Sequence, residues 1–126
     1  MIVGLGIDIM STARITGTIQ KFGKRFLERT YTDYEMDTVK HRPKLSNQMY
    51  TSYWAVKEAA MKALGTGNRR GVCFKDIEVC HMRSGKPFIK LYGRAKEFQK
   101  KLRVKTISVS MSHLEDVVVA TVIFEK

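Results

Sequence analysis

The sequence predicts an α+β fold in which an antiparallel sheet packs with one long helix and several shorter helices. In the first half of the chain, Ile15, Ile19 and Phe22 recur at helical spacing, and a longer helix is predicted from about Ser46 to Leu64. The second half contains two strand–turn–strand patterns, which predict antiparallel hairpins. With 126 residues and 44% apolar content, the chain has the size and composition of a single domain spanning 1–126.

Cap and turn residues set the expected boundaries in the first half. Ser11 directly precedes the first helix and is expected to cap it, after an apolar strand over Ile2–Met10. Thr32 and Glu35 have the spacing of a capping box, which predicts a further helix that Pro43 interrupts. The remaining elements are four strands and one helix. The strands are expected over Asp76–Met82, Pro87–Tyr92, Lys105–Ser112 and Val117–Phe124, and the helix is expected over Arg94–Leu102.

The chain carries a formal net charge of +11 at pH 7. Such an excess favours polyanionic partners, namely nucleic acid, an anionic membrane, a phosphorylated ligand or an acidic protein, and does not choose among them. Cys73 and Cys80 lack a pairing pattern and a metal-binding spacing, which is typical of reduced thiols inside the cell. The N-terminus lacks the features of a secretory leader, and no apolar run approaches the roughly 20 residues of a membrane span, so we expect a cytoplasmic protein without membrane association.

Three charged side chains occupy positions that indicate chemistry. Asp8 interrupts an apolar strand, where an aspartate without a partner or a metal is costly. Glu58 and Lys62 stand one helical turn apart in an alanine-rich helix, so they project from one face. A simple salt bridge would use the same spacing, and the pair alone therefore does not define a site.

Considered together, these residues match a diphosphate-bearing ligand bound with magnesium. Mg²⁺ usually takes one or two protein carboxylates and completes its shell with phosphates and water, as Asp8 and Glu58 would allow. Lys62 and Lys86 offer cations for phosphate oxygens. The Gly65-Thr66-Gly67 loop, where the long helix is expected to end, offers backbone N–H groups and a hydroxyl. The glycine spacings of a Walker loop and of a dinucleotide-binding fold are both absent.

Seven segments of the chain fall in a recognisable order and spacing. They are Gly4-Leu5-Gly6-Ile7-Asp8-Ile9, Arg14-Ile15, Phe26-Leu27-Glu28-Arg29, Trp54–Gly67, Asp76-Ile77-Glu78-Val79, Gly85-Lys86-Pro87 and Ser110-Met111-Ser112-His113. Together they resemble holo-[acyl-carrier-protein] synthase, the short bacterial-type 4′-phosphopantetheinyl transferase. The resemblance covers nearly the whole chain. It implies the 4′-phosphopantetheinyl transferase fold, and an enzyme of fatty acid biosynthesis that moves the 4′-phosphopantetheine arm of coenzyme A onto a serine of apo acyl carrier protein and releases adenosine 3′,5′-bisphosphate.

The resemblance also implies the catalytic residues. Asp8 and Glu58 are then the Mg²⁺ ligands, with the diphosphate of coenzyme A completing the shell. Lys62 lies at the transferred phosphate, where it offsets charge in the transition state. The carrier serine attacks the β-phosphate in line, and either Glu58 or a metal-bound water takes the serine proton. Lys57 is either a neighbour of this site or an exposed lysine.

Binding surfaces follow from the same resemblance. The Gly65-Thr66-Gly67 loop and Lys86-Pro87 are expected to form parts of the coenzyme A cleft, and His113 is expected to reach the 3′-phosphate. The basic residues expected to dock the acidic carrier protein are Arg14, Lys21, Lys24 and Arg25. Members of the family are trimers with each active site at a subunit boundary, so a homotrimer is expected here, with no nucleic acid as partner.

One position departs from the family pattern. Members usually carry an arginine that helps to hold the 3′-phosphate, and Tyr53 occupies that position here. The coenzyme A contacts are therefore expected to be weaker, or to be rerouted through Arg69 or Arg70. Two alternatives remain open at this point: a catalytically weakened module that binds carrier protein, and a small basic nucleic-acid-binding domain, although the chain lacks the closely spaced aromatic residues of a stacking surface.

Overall fold

A computed structural model describes residues 1–126 of the chain. Its helices are α1 (Thr12–Phe22), α2 (Lys24–Thr30), α3 (Asp33–Lys40), α4 (Ser46–Leu64) and α5 (Gly93–Lys101). Its strands are β1 (Ile2–Ser11), β2 (Ile77–His81), β3 (Pro87–Leu91), β4 (Thr106–His113) and β5 (Val117–Glu125). The α+β fold class predicted from the sequence is confirmed. None of the helices combines the length and the hydrophobicity needed to cross a bilayer.

The expected caps explain where the helices begin and end. The Ser11 hydroxyl accepts a hydrogen bond from the backbone of the first turn of α1. Thr32 and Glu35 form both bonds of a capping box at the start of α3. Pro43 begins a short 3₁₀ turn that separates α3 from α4, and Gly65 ends α4 with a left-handed backbone at φ 77°.

The strands form two antiparallel sheets rather than one. A three-stranded sheet has the order β1-β5-β4, and β2 pairs only with β3 in a separate hairpin. In the three-stranded sheet, β5 is central, so β1 and β4 are its two edges. This separation matters for the site, because residues on β1 and residues on β4 approach α4 from opposite edges of the same sheet.

Helix α4 lies across one face of the three-stranded sheet and forms the core with it. The inward residues of β5, Val118, Ala120, Val122 and Phe124, are fully buried. The side of α4 that contacts β1 consists of alanines, among them Ala59 and Ala63, which are also buried. Strand β1 has glycines opposite these alanines. A Cβ atom at Gly4 would lie 2.2 Å from the Ala63 carbonyl oxygen, and one at Gly6 would lie 1.7 Å from the Ala59 carbonyl oxygen. The two backbones are therefore in direct contact, which no larger side chain at these positions would permit.

The opposite face of the three-stranded sheet is uncovered in the single chain. Leu5, Ile7 and Ile9 of β1 point away from α4 and are 63%, 59% and 65% exposed. They pair across the ladder with Ile123, Thr121 and Val119 of β5, which share their face. We call this surface of β1 and β5 the outer sheet face.

We expect Gly6→Ala to destabilise the protein by about 3 kcal/mol, because the added methyl group would overlap the α4 backbone and neither partner is a flexible side chain. Urea unfolding followed by circular dichroism measures the change. Gly17→Ala, in the exposed middle of α1 with no atom within 4 Å of the new methyl group, is the matched control and should stabilise by about 0.5–1 kcal/mol. Equal stability of the Gly6→Ala variant and the parent protein would show that β1 does not pack on α4 in this way.

Candidate active site

The first group of site residues lies where β1 crosses α4. Asp8 is on β1 and Lys62 is on α4, and the Lys62 Nζ is 3.3 Å from Asp8 Oδ1. The same Nζ donates a hydrogen bond to the Ile7 carbonyl oxygen at 2.8 Å. The Asp8 side chain is 12% exposed and the Lys62 side chain is 51% exposed, so the aspartate forms the floor of the site and the lysine forms its rim.

Glu58 adds a second carboxylate to this group. Burial raises the pKa of Glu58, the negative charge of Asp8 raises it further, and Lys62 opposes both effects. Burial likewise raises the pKa of Asp8, against the lowering effect of its hydrogen bond to Lys62. The charge of Asp8 therefore acts on Glu58, and the positive charge of Lys62 lowers the pKa of both acids. No cluster of three or more histidine, cysteine or acidic side chains exists in the structure, so a cation here would have two protein carboxylates.

One carboxylate oxygen of the group is left without a partner. Asp8 Oδ2 is buried and makes no hydrogen bond, whereas Asp8 Oδ1 is paired with Lys62. A buried polar atom without a partner is costly and needs a physical reason. An unpaired acceptor near a second acid is suited to a cation, and this is the structural observation that favours a metal at Asp8 and Glu58.

The Gly65-Thr66-Gly67 loop follows Lys62 directly, but its backbone donors are not free. The N–H groups of Gly65, Thr66 and Gly67 donate to the Lys62 and Met61 carbonyl oxygens at the end of α4, and the Thr66 hydroxyl donates to the Gly67 carbonyl oxygen at 2.9 Å. The N–H groups satisfy the last carbonyl groups of the helix. These donors bond within the chain, and the expected part of the loop in a coenzyme A cleft stays a prediction.

The second group of site residues lies in a cleft of about 650 Å³ at the other edge of the sheet. Lys86, Pro87 and His113 all line it, as does Tyr53. Sequence reasoning missed three further residues of this cleft, Arg42, His81 and Arg83. Their positions follow from tertiary packing, since the turn after α3 and the end of β2 meet here only in the folded chain. No acidic residue lines the cleft.

The structure thus divides the predicted site residues into two groups. Asp8, on edge strand β1, belongs to the first group, and His113, on edge strand β4, belongs to the second. Arg69 and Arg70 follow the glycine loop and line neither the cleft nor the carboxylate pair. The basic residues expected to dock a partner lie on α1 and α2 and are all exposed: Arg14, Lys21, Lys24 and Arg25.

Lys57 is neither a neighbour of the site nor an exposed lysine, the two positions that the sequence suggested. It is fully buried, and its Nζ is 2.8 Å from Glu35 Oε1 in an ion pair whose two side chains are 0% exposed. The Lys57 ammonium also donates to the Phe74 and Ile77 carbonyl oxygens, and Glu35 accepts a hydrogen bond from the Val79 backbone at 2.6 Å. This pair joins α3, α4 and β2, so Lys57 fixes the helix while its neighbour Glu58 faces the site.

Comparison with known proteins agrees with this architecture. The family model described as the 4′-phosphopantetheinyl transferase superfamily matches residues 4–122. A holo-[acyl-carrier-protein] synthase of Solibacter usitatus is 41% identical over 125 residues, covering 99% of both chains. The crystal structure of the holo-[acyl-carrier-protein] synthase of Neisseria meningitidis covers 100% of both chains with a TM-score of 0.91 and 38% identity. That of the Helicobacter pylori enzyme in complex with coenzyme A covers 96% of this chain and 99% of its own, with a TM-score of 0.84 and 30% identity.

The chain belongs to the 4′-phosphopantetheinyl transferase superfamily. Its full-length relatives within that superfamily carry the name holo-[acyl-carrier-protein] synthase, in sequence and in structure alike. The chain is therefore a transferase of the holo-[acyl-carrier-protein] synthase type.

We expect Lys57→Met to cost about 3–5 kcal/mol of stability, because the substitution leaves the Glu35 carboxylate buried without its counter-ion. Chemical unfolding at neutral pH measures the loss. A second substitution, Glu35→Gln, made in the Lys57→Met background, should recover part of that loss because no buried charge then remains. Lys24→Met, which removes an exposed helical pair with Glu28, should leave stability unchanged within error; an equal loss in both lysine variants would contradict the buried pair.

Proposed function

We propose that this chain transfers the 4′-phosphopantetheine group of coenzyme A to a serine of apo acyl carrier protein and releases adenosine 3′,5′-bisphosphate. The observation that carries the proposal is the meeting of Asp8, Glu58 and Lys62 at the β1–α4 crossing, with Asp8 Oδ2 buried and unpaired. The relatives support it: one is crystallised with coenzyme A, and the Bacillus anthracis enzyme, 33% identical with a TM-score of 0.81, is described in complex with CoA (3′,5′-ADP).

Magnesium fits the donor set of this site. Asp8 and Glu58 would hold the ion, because two carboxylates leave the remaining positions of an octahedral shell to water and to substrate phosphates, as Mg²⁺ prefers. When bound, the ion supplies positive charge that neutralises the diphosphate of coenzyme A.

The side chains of the site divide the work of the transfer. The carrier serine oxygen bonds to the phosphorus that bears the pantetheine arm, and the bond from that phosphorus to the oxygen of the adenosine 5′-phosphate breaks. Lys62, half-exposed at the rim, contacts the transferred phosphoryl group and stabilises the charge that develops on its oxygens. Glu58 is the carboxylate at the reacting centre that accepts the serine proton.

The cleft at the other edge of the sheet is suited to the adenosine end of coenzyme A. Lys86 offers positive charge and His113 a ring N–H for the 3′-phosphate, and no acidic residue in the lining compensates the lysine. The exposed cations of α1 and α2 form a surface for an acidic carrier protein. Long-range attraction between such surfaces raises association rates and depends on ionic strength.

The outer sheet face supports assembly into a trimer. Leu5, Ile7 and Ile9 are more than half exposed side by side on one strand, and exposed apolar patches of this kind commonly mark protein contacts. The carboxylate pair and the cationic cleft lie at opposite edges of the sheet in one chain. Because the two groups are separated in one chain, a complete site in the trimer would contain residues of two chains.

Incubation with apo carrier protein, coenzyme A and Mg²⁺ should add the mass of one phosphopantetheine group to the carrier, and intact-protein mass spectrometry detects it. Chelation of the metal should abolish the gain. Asp8→Asn and Glu58→Gln should each reduce the rate by about a hundredfold or more, because they remove a carboxylate from the reacting centre. Arg69→Gln, outside both groups of site residues, is the control; full activity in the two acid variants, or carrier binding without any mass gain in the parent protein, would refute the proposal.

Sedimentation equilibrium should give the mass of three chains for the parent protein. Ile7→Lys should give the mass of one chain, because it places a charge on the outer sheet face without touching the core. Leu114→Lys, at an exposed apolar residue outside that face, should still give three chains. A single-chain mass for the parent protein at micromolar concentration would remove the basis for a shared site.

A further inference from the structure

The residue that replaces the expected arginine is bonded to a histidine. Tyr53 is 1% exposed, and its hydroxyl lies 3.0 Å from His81 Nε2. The other ring nitrogen, His81 Nδ1, lies 3.3 Å from the Gly85 carbonyl oxygen. The imidazole is therefore held from both sides, by α4 and by the turn between β2 and β3, and the half-buried ring forms part of the cleft wall.

These contacts satisfy the imidazole in both of its charge states. A carbonyl oxygen only accepts, so Nδ1 carries a proton and donates it to Gly85. A tyrosine hydroxyl donates or accepts, so Tyr53 donates to a neutral ring and accepts from a protonated one. Burial raises the pKa of Tyr53, which keeps the hydroxyl protonated. The ring therefore keeps both hydrogen bonds in either charge state.

The rest of the cleft is suited to an anion. Arg42, Arg83 and Lys86 line the same cleft and have no ion-pair partner in the chain, and His113 is the other titratable base there. No acidic residue lines the cleft, so these cations and the ring beside them face a bound phosphate without a competing negative charge.

We propose that His81, positioned by Tyr53, is a specificity-determining residue for the 3′-phosphate of coenzyme A in this chain. The inference rests on the proposed function. The charge missing at position 53 is supplied from position 81 on the neighbouring strand, rather than from Arg69 or Arg70, which lie outside the cleft. His81 acts through its charge on the cleft wall, and Tyr53 acts by fixing the ring.

Titration calorimetry with adenosine 3′,5′-bisphosphate and with adenosine 5′-monophosphate tests the proposal, because the two probes differ only in the 3′-phosphate. His81→Gln should reduce the affinity ratio of bisphosphate over monophosphate roughly threefold or more, while the monophosphate affinity stays unchanged. His81→Lys should keep the ratio, since it restores a cation. Tyr53→Phe should reduce the ratio in the same direction, and Arg69→Gln, the matched cation outside the cleft, should leave it unchanged.

An unchanged ratio in His81→Gln, an equal loss for both probes, or a parent protein that does not distinguish the probes would each overturn the proposal. If His81 had a purely structural role, its substitution would lower the affinities for both probes together. The ratio of the two affinities therefore distinguishes that role from the proposed one. The calorimetry measures binding and does not depend on phosphopantetheine transfer. Failure of transfer in the parent protein would therefore refute the proposed function, and the role of His81 would still be judged from the affinity ratio.

Discussion

The contact between the backbones of β1 and α4 is the constraint on which the site depends. Gly4 and Gly6 lie so close to the Ala59 and Ala63 carbonyl oxygens that no side chain fits between the two elements. This approach brings Asp8, two residues after Gly6, within reach of Lys62. A wider spacing would expose Glu58 and separate it from Asp8, and so would weaken both causes of its raised pKa, first burial and then the charge of Asp8.

Adjacent residues of helix α4 have different roles, one in the fold and one in the site. Lys57 is buried against Glu35 and ties the helix to α3 and β2, while Glu58 turns towards Asp8. Because the ion pair is fully desolvated, its geometry is far more restricted than that of an exposed pair. The ion pair therefore fixes the orientation of the helix, and this orientation sets the positions of Glu58 and Lys62. Tyr53, one turn earlier, reaches the cleft on the other side and holds His81 there.

Local signals in the sequence predicted the elements well, because each signal acts over a few residues. The caps at Ser11, Thr32 and Gly65 formed as expected, and both hairpins formed. The split into two sheets was not predicted, since hairpin patterns do not specify which hairpins pair with each other. For the site, the resemblance to a known family identified the carboxylate pair. The burial of Lys57 and the contact between Tyr53 and His81, 28 positions apart, depend on long-range packing that no local pattern encodes.

The unpaired oxygen of Asp8 has a consequence for the lifetime of the protein. A buried acceptor without a donor costs about 1–3 kcal/mol, which is a sizeable share of the stability of a small chain. A cation bound at Asp8 and Glu58 would stabilise the folded state alone and so recover part of that free energy. The empty protein would then unfold more often than the loaded one and would be degraded faster by proteases that act on unfolded chains.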